Sequence, residues 1–188
     1  MSGAIIRAGH GVPRPWKNGL GTTRELAVHP ADASSDDFLW RISIAEVDSA
    51  APFSRFPGID RHIVLLDGAG FGMTLDEGRQ HALTAPFAPF AFPGEAGVAV
   101  TLIAGPTRDF NLMVRRTQAR GTVTVWQHAG SRSLAPDCVL VYAARGEIDT
   151  DDGRLQAGDA WRPMAPTAGD LALRDGAVAL VVHVAPLA

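Results

Sequence analysis

Turn residues fall so often along this chain that no long helix fits between them. Its 188 residues include 20 Gly and 13 Pro, and the stretches between these are short β-branched or aromatic runs without 3.6-residue periodicity. The expected fold class is therefore all-β. Expected strands cover residues 25–28, 39–46, 62–66, 70–75, 98–104, 109–115, 122–128, 139–143, 146–150 and 177–184, with at most one helical turn at 31–37. An internal repeat organises them. The run from His62 to Gly70 precedes the turn Asp76-Glu77-Gly78-Arg79, and the run from Cys138 to Gly146 likewise precedes Asp151-Asp152-Gly153-Arg154. Each copy reads strand, glycine, strand, Asp-Gly hairpin, strand, turn, strand, the order in which antiparallel barrels and jelly rolls close their edges. Two such units are expected, an N-terminal β-barrel over residues 1–116 and a C-terminal one over 117–188, packed as one compact molecule.

Composition narrows the partners. A hydrophobic content of 46% supports a substantial core. A formal charge of -3 and a pI near 6.0 give no general attraction to nucleic acid or to an anionic membrane, so anion recognition has to be local. The first residues lack the apolar core of a signal peptide, and no run approaches the roughly 20 apolar residues of a membrane span. A cytoplasmic protein is expected, with a small anionic metabolite as its partner. Cys138 is the sole cysteine, which excludes an internal disulfide and a Cys-based metal cluster. Within Cys138-Val139-Leu140-Val141 it reads as a buried strand residue.

The polar residues gather in segments. Trp16-Lys17-Asn18-Gly19-Leu20-Gly21-Thr22-Thr23-Arg24-Glu25 puts a cation, an amide and a carboxylate beside an aromatic ring and two glycines that permit tight turns or close approach. A glycine-rich hairpin with incidental charges is the plainer reading of the same residues. Strand alternation places Arg41 and Ser43 on one face of their strand, opposite Trp40, Ile42 and Ile44. In the same way Asp109, Asn111, Met113 and Arg115 oppose Phe110, Leu112 and Val114. In an ordinary sandwich such a polar face meets solvent; inside a barrel mouth it builds a pocket. Asp60 and Arg61 can pair locally, Arg115 and Arg116 can guard a sheet edge, and Trp16, Phe53 and Phe56 can simply close a barrel end.

The strand order resembles the cupin plan, and Leu155-Gln156-Ala157-Gly158-Asp159 is similar to the Gly-Asp turn of many cupins. Metal-dependent cupins use a His-x-His pair, a Glu and a later His. Here His10, His29, His62, His81, His128 and His183 stand singly, so no metal and no other cofactor is expected. Four segments go beyond the fold: Trp16 to Gly19 with Thr23-Arg24-Glu25, Phe38 to Ala45, Pro52 to Arg61, and Asp109 to Arg116. In this order they resemble the HutD/Ves family, with a more divergent C-terminal half. Leu20 departs from the pattern, where members commonly carry another glycine.

The resemblance implies a bicupin of the RmlC-like kind. It also implies an association with histidine utilisation, as a regulator that limits flux by binding an intermediate such as N-formylglutamate. No established catalytic activity comes with the family, and its Ves branch is linked to stress responses. The candidate ligand-binding residues are Lys17, Asn18, Glu25, Arg41, Ser43, Arg61, Asp109, Asn111 and Arg115, with no catalytic residue assigned. The arginines and Lys17 suit a carboxylate, Asp109 or Glu25 would orient an arginine, and the amides and Ser43 suit an amide or formyl group. Two alternatives stay open. One is a metal-independent cupin hydrolase or isomerase using Glu25 or Asp109; the other is an interaction module serving a protein partner or a homodimer.

Overall fold

The computed structural model describes residues 3–16, 20–34, 37–163 and 169–187. Among them are eighteen strands and one 3-10 turn, Asp76–Gly78. No helix is long and apolar enough to cross a membrane. Of the expected helical turn at 31–37, the described residues form turns instead, with the Ala33 N–H donating to the Pro30 carbonyl.

The chain divides into two compact units, Gly11–Arg120 with Leu187–Ala188, and Met1–His10 with Gly121–Pro186. In the first, a six-stranded sheet has the order β2 (Arg14–Pro15), β3 (Gly21–His29), β4 (Trp40–Val47), β10 (Thr107–Arg115), β5 (Ile59–Asp67), β8 (Phe90–Pro93). A three-stranded sheet, β7 (Gln80–Leu83), β6 (Phe71–Leu75), β9 (Val98–Leu102), completes it. Ile63 and Leu65 from the large sheet pack with Phe71, Met73, Val98 and Val100 from the small one to form its apolar core. Burial is what holds the two layers together, since each buried aliphatic side chain contributes about 1.5–3 kcal/mol.

The second unit pairs a five-stranded sheet with a four-stranded one. The first runs β1 (Ala4–Ile6), β16 (Ala160–Arg162), β13 (Cys138–Arg145), β18 (Val178–Pro186), β11 (Ala119–Trp126). The other runs β12 (Gly130–Ser133), β17 (Asp170–Leu173), β14 (Ile148–Thr150), β15 (Gly153–Leu155). Its interior is filled. Trp161, Val141, Ile148, Leu155, Leu171 and Val181 form one buried cluster, and the Trp161 indole N–H donates to Asp152 at 2.8 Å. Cys138 belongs to this cluster, and burial pushes its thiol up to about 12, so it is a packing residue.

One glycine shows why the repeat needs its punctuation. Gly70, between β5 and β6, has φ +81, and a Cβ there would collide with the Leu83 backbone.

Candidate functional site

At one end of the first unit's interior, side chains leave a cavity of about 520 Å³. Its floor is set by register. On β10, Asp109, Asn111 and Met113 pair with Ala45, Ser43 and Arg41 of β4 on one side, and with Leu65, Ile63 and Arg61 of β5 on the other. Directly opposed residues of antiparallel strands share a face. Three rows result: Arg41–Met113–Arg61, then Ser43–Asn111–Ile63, then Ala45–Asp109–Leu65. Arg14, Trp16 and Thr23 line a further wall with Pro52, Phe53, Ser54 and Phe56.

Two β-bulges flank these rows. One lies on β3 between Glu25 and Ala27, the other opposite Arg108 and Asp109 on β5. A bulge inserts one residue and re-aims the side chains beyond it. Glu25 pairs with Ser43 and is thus the diagonal neighbour of Arg41, whose Nε donates to its Oε2 at 2.8 Å. Gly21, at the start of β3, lets Trp16 lie close: a Cβ there would sit 3.2 Å from the indole and 2.5 Å from the Glu46 carbonyl. The Trp16 Nε1 donates to Thr23 Oγ1 at 2.7 Å, holding the ring at the cavity's edge.

Arg61 is the unusual member. It is only 5% exposed, its guanidinium carbon lies 5.2 Å from the Phe53 ring, 5.6 Å from Phe56 and 5.0 Å from Phe92, and its Nε has no hydrogen-bond partner. Among the described residues no carboxylate forms a salt bridge with it. Ring quadrupoles offset part of its desolvation, about 0.5–2 kcal/mol each. Burial, and secondarily the charge of Arg41, lower its pKa to about 10, so it stays cationic. An anion in the cavity would supply the missing partner.

Asp109 is equally isolated. At 1% exposure it accepts only a long hydrogen bond from Thr107 Oγ1, 3.4 Å, and its Oδ1 has no partner. Burial raises its pKa to about 7, against a smaller opposing effect of the Thr107 hydroxyl. The Oδ1 of Asn111, one row away, is also unmatched.

Of the nine expected ligand residues, Arg41, Ser43, Arg61, Asp109 and Asn111 line this one cavity. Of the two carboxylates expected to orient an arginine, Asp109 or Glu25, it is Glu25 that braces Arg41, and among the described residues Asp109 forms no salt bridge with one. Arg115 extends the same face of β10 but does not line the cavity, and its Nε donates to the Phe38 carbonyl at 3.2 Å. Lys17 and Asn18 lie outside the described residues.

Several plainer readings give way. Ser43, Asp109 and Asn111 are buried and Arg41 is half-buried, so these faces are not an open solvent face. Asp60 pairs not with Arg61 but with Arg116 at 2.9 Å, and Arg116 also grips Glu95 through two 2.6 Å bonds, a clamp inside the unit rather than an edge guard. Sequence reasoning missed Arg14, the wall residue Thr23 and the three-phenylalanine box around Arg61; the Phe53-x-x-Phe56 spacing just before a strand with an inward arginine is the signal that pointed there. Among the described residues, Asp109 is the only one of the types His, Cys, Asp and Glu that lines the cavity, and no group of three such residues able to hold a metal occurs.

Comparison with known proteins adds identity to this geometry. The uncharacterized 21.2 kDa protein in the hutC 3' region of Pseudomonas putida is 33% identical over 145 residues, 77% of this chain and 75% of that one. Protein Ves of Cronobacter sakazakii is 40% identical over 141 residues, 74% and 75% of the two chains. HutD from Pseudomonas fluorescens SBW25, solved in a formate condition, superposes with TM-score 0.86 at 29% identity, covering 100% of each chain. Oxalate decarboxylase from Bacillus subtilis, 10% identical with TM-score 0.64 over 100% of this chain and 80% of its own, shows the cupin fold alone. The HutD family model matches residues 10–181, and the chain therefore belongs to the HutD family, an all-β bicupin.

Proposed function

We propose that this chain is a receptor for a small carboxylate of histidine utilisation, N-formylglutamate being the first candidate, and that it acts as a regulator without a reaction of its own. One observation carries the reading: Arg61 is a buried cation with no carboxylate partner among the described residues, facing a cavity of about 520 Å³. A buried charge without a counter-charge costs several kcal/mol, a cost that function explains and packing does not. The guanidinium fork fits a carboxylate with paired charge-assisted hydrogen bonds, and Arg41, held by Glu25, stands in the same row to meet a second one. Ser43 and Asn111 in the next row suit an amide or formyl group.

Isothermal titration of the protein with N-formylglutamate tests this. Saturable heat is expected, with affinity at least tenfold weaker in Arg61→Met while the thermal midpoint is unchanged or higher, because methionine removes a buried charge and keeps the volume. Absence of heat with any small carboxylate would remove the reading.

A second reading is a metal-independent enzyme, favoured by Asp109, whose raised pKa suits proton transfer near neutrality. Formate released from N-formylglutamate during incubation would select it, since a receptor leaves the compound intact.

A further inference from the structure

The unmatched polar atoms of the cavity are sorted by kind. At the Arg41–Met113–Arg61 row the unmatched buried atom is a donor, Arg61 Nε; at the next two rows the unmatched atoms are acceptors, Asn111 Oδ1 and Asp109 Oδ1. Along β10, Met113 and Asp109 are four residues apart, about 13 Å at ~3.3 Å per residue. A ligand with carboxylates alone would satisfy the first row and set an oxygen against the Asp109 carboxylate, whereas Asn111, whose amide also carries N–H donors, can meet either kind of group. We infer that the ligand is bipolar, with an anionic group on Arg61 and a nitrogen N–H donated to Asp109 and Asn111, so that Asp109 selects the nitrogen-bearing end. This rests on the receptor reading above and narrows it to carboxylates that carry an N–H, either an amide or an ammonium.

Binding of such a ligand is linked to protons. An N–H favours the carboxylate form of Asp109, so the complex forms with proton release near neutrality. If only that form binds, a free-protein pKa of about 7 makes affinity about tenfold higher at pH 8 than at pH 6. A ligand presenting an oxygen instead would favour the protonated acid and give the opposite slope. The charged groups that line the cavity with Asp109, among the described residues, are Arg61 from β5, Arg41 from β4 with Glu25 of β3 behind it, and Arg14 from β2. No histidine is among the described lining residues.

The test titrates the full chain at pH 6 and pH 8 with three probes: N-formylglutamate, which offers an amide N–H; glutamate, which offers an ammonium; and glutarate, the same diacid without nitrogen. At least one nitrogen-bearing probe is expected to bind about tenfold tighter at pH 8 and tighter than glutarate, whose affinity stays flat or falls. Asp109→Asn, checked for folding by its melt, is expected to abolish the pH dependence. Glutarate binding as tightly as both others, or a wild-type slope that is flat or reversed, overturns this inference and leaves the receptor standing. Binding of none of the three overturns the receptor, and this inference with it.

Discussion

Asp109 and Asp159 are both buried carboxylates, and they affect stability with opposite signs. Burial sets the folded pKa of Asp109, about 7, above the ordinary 3.8, and among the described residues no salt bridge offsets it. The folded state therefore binds a proton that the unfolded chain has already lost, and stability falls as pH rises from about 4 to about 7. Asp109→Asn is expected to raise stability by a few kcal/mol at pH 8 and by almost nothing at pH 4. Urea unfolding at the two pH values measures this; equal effects at both would show that Asp109 is not isolated. Burial would also raise the pKa of Asp159, but the Gln156 and Ala8 N–H groups and the Arg7 guanidinium outweigh it and hold the carboxylate below its usual range. Its contribution is present at neutral pH and lost under acid. Alternation in the sequence was enough to put Asp109 and Asn111 on one face with Met113, and Arg41 with Ser43. It was silent on depth, because the same alternation describes a wet sheet face and a barrel interior.

At the scale of elements, most long strands were legible and most of the short ones were not. Residues 62–66, 109–115 and 139–143 lie within β5, β10 and β13, where uninterrupted apolar or alternating runs leave no competing structure. β1, β2, β12, β15 and β16 are two to four residues long, too short to carry a period. Their pairing is decided by partners far away in the chain: Ile5 lies opposite Trp161. The Gly-Asp turn secures that pairing. Asp159 accepts from the Arg7 guanidinium at 2.7 Å, from Ala8 N–H at 2.7 Å and from Gln156 N–H at 3.0 Å. Asp159→Ala leaves those donors without an acceptor and is expected to cost about 2–4 kcal/mol. Hydrogen exchange should then quicken at residues 4–8; unchanged protection there would mean that β1 is held by its backbone pairing alone.

For the whole molecule, the partition into units does not follow chain order, since Met1–His10 groups with Gly121–Pro186. Its strand β1 covers the edge of β16, and Gly3 N–H shares Asp152 Oδ2 with the buried Trp161 indole, both at 2.8 Å. Deleting residues 1–9 uncovers that edge and leaves Arg7's partner Asp159 buried without a cation. Such a chain should unfold with its thermal midpoint lowered by roughly 5–10 °C, given about 2–4 °C per kcal/mol at this size. A midpoint equal to that of the full chain would show that these residues add nothing to the unit.

The two units share a strand plan but not an interior. One is filled by Trp161 and its aliphatic neighbours, the other leaves a polar cavity around Arg61. That the chain is all-β, where its long strands run and which face of each is polar were written in local order, because turn residues and period-two alternation act over a few neighbouring positions. Which of those faces became a cavity, that Glu25 and not Asp109 braces an arginine, and that Arg61 rests among three phenylalanines were decided by the tertiary structure. Register and bulges bring together residues separated by dozens of positions, and burial then sets what their charges can do.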